Sequence, residues 1–348
     1  MAVEFVFAAV VAAHTSAATL RHALNLRDKG FTVLPPSATG LSQSSLAQAA
    51  RACECELSSR LCDVHELGID PVEQAYTFNE IAHRLRRRWD FRNPNLAEVE
   101  HVCTAASTAA SPIIRALHSL PIHPGERARL WPRRLSPRRP RTVMSGAIVS
   151  WPGADAQSFH CDSNDWHNRI ASHAPSHRLF NAFVPLVDIA PDSMGTSFWP
   201  GSHLSRDGRA MWAEAVTRSG TVEEDDHAIE EAVSPGCPAG GVLLFDVRTL
   251  HRGLANTAKG ARPYVYTTVG TGWASDKHNF PPHKLQRAVQ CLPSAAEERE
   301  LARRAISKGH PTWDEIYASE PYHEWRRKGS ISTEHHAEDT ETPELLGV

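Results

Sequence analysis

The stretch Val242-Leu243-Leu244-Phe245-Asp246, followed by Thr249-Leu250-His251-Arg252-Gly253-Leu254-Ala255-Asn256 and by the run Arg262 to Gly270, decides the fold. Short apolar runs bounded by Gly, Asn and Asp read as strands. The same texture extends back through Thr196 to Trp199, Leu179 to Val187 and Thr142 to Trp151, each run divided from the next by Gly, Pro, Asp or Asn. Several short strands with such turn signals predict a sandwich or barrel.

Outward from this core, residues 1–125 are rich in Ala, Leu, Arg and Glu. Spacings such as Leu41, Leu46, Ala50 and Ile81, Leu85, Trp89 predict a helical flank packed on the core. The expected division is 1–125 helical flank, 126–275 β core, 276–329 helical flank with a helix over Glu297 to Ser307, and 330–348 an acidic, disordered tail. The fold class expected is mainly β with helical flanks.

The whole chain has 348 residues, 41% hydrophobic and 22% charged, enough to bury a core without disulfides or a structural metal. A net charge of −3 argues against a nucleic-acid binder, whose affinity would rest on a basic excess. Seven cysteines at scattered positions do not form a secreted disulfide framework. An intracellular, cytoplasmic location is expected, with organelle targeting left open. The longest apolar run, Phe5 to Ala13, is about half a membrane span, so no span is expected. Cys53, Cys55 and Cys62 lack the C-x-x-C spacing of a zinc site and read as reduced helix cysteines.

Chemistry centres on His160-Cys161-Asp162, the one His-x-Asp in the chain. In extended backbone His160 and Asp162 project to one face. A third ligand from a distant strand would complete the two-His-one-carboxylate face of non-haem Fe(II) oxygenases, with positions left open for a chelating co-substrate and O2. His251, just beyond the 242–246 strand, is the candidate. Eleven residues later Arg262 opens the next strand, and its planar fork suits the distal carboxylate of a keto acid.

These residues resemble the phytanoyl-CoA dioxygenase family of Fe(II)- and 2-oxoglutarate-dependent oxygenases. Three blocks carry the resemblance, over about Thr142 to Thr271: Pro152-Gly153 through Gln157 to His160-Cys161-Asp162; Gly195-Thr196-Ser197-Phe198-Trp199-Pro200-Gly201-Ser202-His203; and Gly240 through His251 to Arg262. It implies a double-stranded β-helix (jelly-roll) core, with His160, Asp162 and His251 as iron ligands and Arg262 on 2-oxoglutarate. It also implies O2 as oxidant and ascorbate as the in vitro reductant. Gln157 either donates to the co-substrate or holds the turn. His203 reads as a turn and packing element. Met194 stands where the family has Asn, and Gly253 where several members place a serine hydroxyl on the oxoglutarate carboxylate. The source of that second donor is open.

The implied reaction is hydroxylation of an unactivated C–H bond of a small organic or acyl substrate, with release of succinate and CO2, by a monomer or weak homodimer. Seven arginines between Arg127 and Arg141 read either as a dock for an anionic substrate or partner, or as a solvated loop. The segment between Asp162 and Arg178 reads as a lid or an ordinary surface loop. The rival functions are a non-catalytic jelly-roll binding module working through the Arg-rich segment, and a jelly-roll isomerase or hydrolase using another metal.

Overall fold

The computed structural model describes residues 15–92, 94, 96–120, 139–162, 178–204, 232–271, 283–290, 300, 303 and 307. The Phe5–Ala13 run, residues 127–138 of the Arg-rich segment, the suggested lid at 163–177 and the acidic tail fall outside them. So does the helix expected over Glu297 to Ser307, except for three of its residues.

Strand β10 (Arg262–Gly270) is the spine of the molecule and is buried along its whole length. Its even residues Arg262, Tyr264, Tyr266 and Thr268 line an internal cavity. Val265 and Val269, among its odd residues, join an apolar cluster with the helices. A strand covered on both faces must be apolar or internally satisfied throughout, which explains its weak polar alternation. On one side β10 pairs with β5 (Arg141–Ser150), on the other with β6 (Leu179–Pro185). β6 pairs with β8 (Val242–Asp246), and β8 with β1 (Phe31–Leu34). Beyond β5 lie β4 (Arg88–Arg92), β3 (Ile81–Leu85) and β2 (Tyr76–Thr77). The result is one eight-stranded sheet, antiparallel at every pairing.

Facing it is a smaller sheet in which β7 (Thr196–Phe198) pairs with β9 (His251–Gly253). Single bridges, His160 to His251 and Phe198 to Val233, extend it by one position on each side. Along the chain the segments β5, His160, β6, β7, Val233, β8, β9 and β10 therefore run large, small, large, small, small, large, small, large. That order, with all pairings antiparallel, is the double-stranded β-helix. The inner faces meet in an aromatic cluster of Phe31, Phe183, Phe198, Phe245, Tyr264 and Tyr266.

The outer face of the large sheet is covered by helices α1 (Ala17–Lys29), α2 (Gln43–Glu66) and α3 (Ala97–Ser119), with α4 (Leu285–Gln290) against α2. Ser16 and Ser42 cap α1 and α2 by accepting the backbone N–H three residues on. Cys53, Cys55 and Cys62 all lie on α2, and Cys53, buried in the core, has its thiol pushed up to about 12 by burial.

Residues 1–125 are not purely helical. Ile81, Leu85 and Trp89, spaced as a helix face, belong to the β3–β4 hairpin, whose turn is made with Arg87 at φ 58°. A spacing of four is satisfied by period 2 as well as by period 3.6, so it could not discriminate. The alternation Arg88-Trp89-Asp90-Phe91-Arg92 is the better signal. Trp89 and Phe91 are fully buried on the helix side, each worth about 2–3 kcal/mol, while Arg88 and Asp90 reach the cavity.

Candidate active site

His160 and His251 face each other across the small sheet. Each backbone N–H donates to the other's carbonyl, at 2.9 and 2.8 Å, so both imidazoles leave the same face, with ring centroids 4.6 Å apart. The His160 Nδ1–H donates to the Ser158 carbonyl and the His251 Nδ1–H to the Thr249 carbonyl, both at 2.9 Å. Those bonds fix the tautomer and leave each Nε2 with its lone pair toward Asp162, at 3.6 and 3.5 Å. Burial and then the adjacent His251 hold the His160 imidazole below its ordinary range, which keeps it in the neutral, coordinating form.

Asp162 is held by its own supports. Its backbone N–H donates to the Val247 carbonyl, and Asn181 Nδ2 donates to its Oδ2 at 2.7 Å. Thr268 Oγ1 in turn donates to Asn181 Oδ1 at 2.6 Å. One ligand atom from each of His160, Asp162 and His251 lies within 4.8 Å of the others. Two imidazoles and a carboxylate, aimed at one point by fixed backbone bonds, are a donor set that fits a divalent transition metal.

The block Trp199 to His203 sets where the third ligand sits. Ser202 Oγ donates to the Trp199 carbonyl and accepts from the Leu250 N–H, at 2.7 and 2.8 Å, which fixes the backbone one residue before His251. His203 is buried, with Nε2 donating to the Arg27 carbonyl at the end of α1, far from any ligand role.

A cavity of about 190 Å³ opens from the triad into the barrel. At its far end Arg262 is buried; one Nη donates to the Leu254 carbonyl at 2.9 Å, and its Nε and other Nη have no partner. Burial pushes this guanidinium's pKa down, the mark of a cation in want of an anion. The unpartnered Nε and Nη lie on different edges of the guanidinium, so each offers a charged N–H to an anion such as a carboxylate of 2-oxoglutarate.

Beside it stands a residue that the sequence reading missed. Arg88, on β4, shares a lateral row with Ser150 and Arg262. It donates to the carbonyls of Asp155 and Leu254 and to Gln157 Oε1, at 2.9, 2.7 and 3.1 Å. Its Nε is buried without a partner, and burial, then the charge of Arg262, lowers its pKa. Among the described residues no carboxylate lies within ion-pair distance of either arginine. Gln157 Oε1 also accepts from the Gly253 N–H at 3.0 Å, so its carbonyl holds Arg88 and the β9 end together. A Cβ at Gly253 would collide with Arg88 Nη1 and come 2.6 Å from Gln157 Oε1. The side chain absent from position 253 has thus been replaced in space by an arginine from another strand. The signal lay in the period-2 pattern 88–92, obscured by the helical spacing around it.

Of the Arg-rich segment, Arg139 and Arg141 alone are described, and neither lines the cavity. Among the described residues no helix is long and apolar enough to cross a membrane.

A family model described as phytanoyl-CoA dioxygenase matches residues 28–264, about two thirds of the chain. Among solved structures the chain is similar to AviO1 from Streptomyces viridochromogenes Tue57, at 15% identity over 76% of this chain and 96% of that one, with a TM-score of 0.44. It is similar to SnoK, described as a non-heme alpha ketoglutarate dependent carbocyclase from nogalamycin biosynthesis, at 17% identity, 77% and 90% coverage and a TM-score of 0.45. It is also similar to EctD from S. alaskensis, crystallised with 2-oxoglutarate and 5-hydroxyectoine, at 17% identity, 73% and 76% coverage and a TM-score of 0.44.

Proposed function

The chain belongs to the phytanoyl-CoA dioxygenase family, which makes it an Fe(II)- and 2-oxoglutarate-dependent oxygenase, and we propose that its reaction is hydroxylation of a C–H bond in a small organic substrate. The observation that carries this reading is the shared cavity: three convergent ligands at one end and, at the other, two arginines without a carboxylate partner among the described residues. His160, Asp162 and His251 would hold iron, and Arg262 the distal carboxylate of 2-oxoglutarate. Arg88 would supply the second contact that a serine at 253 supplies in relatives. Gln157 positions Arg88.

Iron, when bound together with 2-oxoglutarate, would activate O2, which is the oxidant for both the substrate and the co-substrate, with succinate and CO2 as the co-products. The protein's own share is to hold both imidazoles aimed, to brace Asp162 through Asn181 and Thr268, and to neutralise the co-substrate's carboxylate in a water-poor pocket.

His160→Ala, Asp162→Ala and His251→Ala should each abolish succinate formation in an Fe(II), ascorbate and air assay while leaving the circular-dichroism melt intact. Asp162→Gly should be the mildest carboxylate loss. Wild-type-like turnover in any alanine variant would remove that residue from the site.

A further inference from the structure

Between the arginine row and the iron ligands, the wall of the cavity carries a carboxylate that none of the chemistry above uses. β4 advances about 3.4 Å per residue, so Asp90 lies roughly 7 Å along the strand from Arg88, on the same inward face. The lateral rows give its depth. Arg262, Ser150 and Arg88 form the first, Tyr264, Ile148 and Asp90 the second, and Tyr266 and Gly146 the third. Thr268, which braces Asn181 and through it Asp162, follows next. Asp90 therefore sits beyond the co-substrate end and toward the ligand carboxylate.

Its geometry is built. Tyr266 reaches diagonally across β5 and its hydroxyl donates to Asp90 Oδ1 at 2.9 Å. That reach crosses Gly146, where a Cβ would lie 2.5 Å from the Tyr266 hydroxyl and ring carbon and 2.7 Å from the Phe91 carbonyl. Any side chain at 146 would push the phenol off the carboxylate, so three strands cooperate to hold one oxygen.

At the Asp90–Tyr266 pair itself the remaining hydrogen-bonding capacity is that of acceptors, while Arg84 and the second N–H of Asn181 line the same cavity as donors. The Tyr266 proton is spent on Asp90 and the Thr268 proton on Asn181. Asp90 Oδ2 and the phenolic oxygen are left, both acceptors. Around them Met144, Ile148 and Leu179 are apolar. Burial lifts the Asp90 carboxyl to about 6, against the opposing pull of Arg84 and the Tyr266 hydrogen bond, so at neutral pH it is mostly ionised.

We propose that Asp90, set by Tyr266 across Gly146, orients the substrate by accepting a hydrogen bond from a hydroxyl or ammonium group carried on an apolar body. This rests on the oxygenase reading and assigns its substrate class: donor-bearing amphiphiles rather than molecules whose anionic group enters the cavity. An anion entering past Asp90 would meet its like charge in a low-dielectric site, offset in part by the more exposed Arg84 on the same wall.

The test uses three probes of equal length, pentylammonium, 1-pentanol and pentanoate, titrated anaerobically into Fe(II) enzyme saturated with 2-oxoglutarate, which occupies both arginines. Affinities are read from ligand line broadening by NMR. In the wild type at least one donor probe should bind 10-fold or more tightly than pentanoate. Asp90→Asn should weaken pentylammonium about 10-fold and pentanol little, and Asp90→Leu should weaken both. Tyr266→Phe and Gly146→Ala, which displace rather than remove the carboxylate, should weaken the preferred probe several-fold. A wild-type preference for pentylammonium alone identifies an amine; equal binding of pentanol identifies a hydroxyl.

Pentanoate binding as tightly as the donors, failure of both donors to bind, or donor affinity unchanged in Asp90→Leu would overturn the assignment. The Fe(II)–2-oxoglutarate absorption band, recorded in the same samples, separates the two levels. Its absence from wild type would sink the oxygenase reading, while its presence beside flat probe titrations would sink Asp90 alone.

Discussion

Two pairs of buried arginines lie in this barrel, and they differ in one respect. Arg248 closes on Asp246 in a bidentate contact at 2.9 and 2.7 Å, with Arg178 3.9 Å from the same carboxylate. Arg88 and Arg262 have no carboxylate in reach among the described residues, and three of their buried nitrogens lack any partner. Burial pushes the Asp246 carboxyl up, yet the charge and hydrogen bonds of Arg248, aided by Arg178, override it and hold the group well below the usual carboxylate range. The first pair completes its electrostatics within the fold; the second leaves it for a ligand. Unpaired buried charge is costly, so its persistence marks a site rather than a structural bond.

The largest effect expected from breaking this contrast is on Asp246. Asp246→Asn should remove the buried carboxylate that Arg248 and Arg178 share and lower unfolding free energy by about 3–5 kcal/mol, measured by denaturant titration. A carboxyl with a depressed folded-state pKa contributes its full stability above the ordinary carboxylate pKa and loses it as pH falls toward the depressed value. The gap between wild type and Asp246→Asn should accordingly narrow as pH is lowered from about 5 to about 2. A gap independent of pH would mean that packing, not charge, holds the cluster.

At the unpaired end a substitution should cost ligand affinity rather than stability. Arg262→Ala should cost 2-oxoglutarate binding on the order of 2–5 kcal/mol, read from the anaerobic absorption band, while Fe(II) still binds. An unchanged midpoint would take Arg262 out of the site. Arg88→Met should weaken 2-oxoglutarate by about 1–2 kcal/mol, less because Arg262 remains, and should leave ligand-free stability within about 1 kcal/mol of wild type. A stability loss as large as that of Asp246→Asn would show Arg88 to be structural.

The mildest change expected is at position 253, where Arg88 and the missing side chain compete for one space. Gly253→Ser introduces a hydroxyl where the family resemblance places one in several members, but drives a side chain into the Arg88 guanidinium. Alone it should weaken 2-oxoglutarate a few-fold; in the Arg88→Ala background it should be neutral or helpful. The double-mutant cycle should give a coupling of about 1 kcal/mol. Additivity would mean that the two positions do not share a role.

Much of this was legible in the chain. The runs at 242–246 and 262–270 are strands with those same bounds, and those at 142–151, 179–187 and 196–199 agree within two residues. They were readable because turn residues punctuate them. His160, Asp162, His251 and Arg262 stood out because the triplet, the strand and the spacing to Arg262 are local patterns. Arg88 and Asp90 did not, because their hairpin's apolar residues fit a helix as well as a strand, and because neither belongs to a motif. Gly253 appeared only as a missing hydroxyl, since nothing in the sequence says which distant side chain fills the space above a glycine.

The sequence by itself determined the alternating strand texture, the ligand triplet, and the departure at Gly253, because each depends on neighbours within a few residues. Only the tertiary structure decided that the 81–92 hairpin completes the sheet, that Arg88 stands beside Arg262, and that Tyr266 crosses Gly146 to meet Asp90. Those outcomes depend on lateral register between strands far apart in sequence. Register is set by which faces can be buried together, a property of the assembled sheet rather than of any one segment.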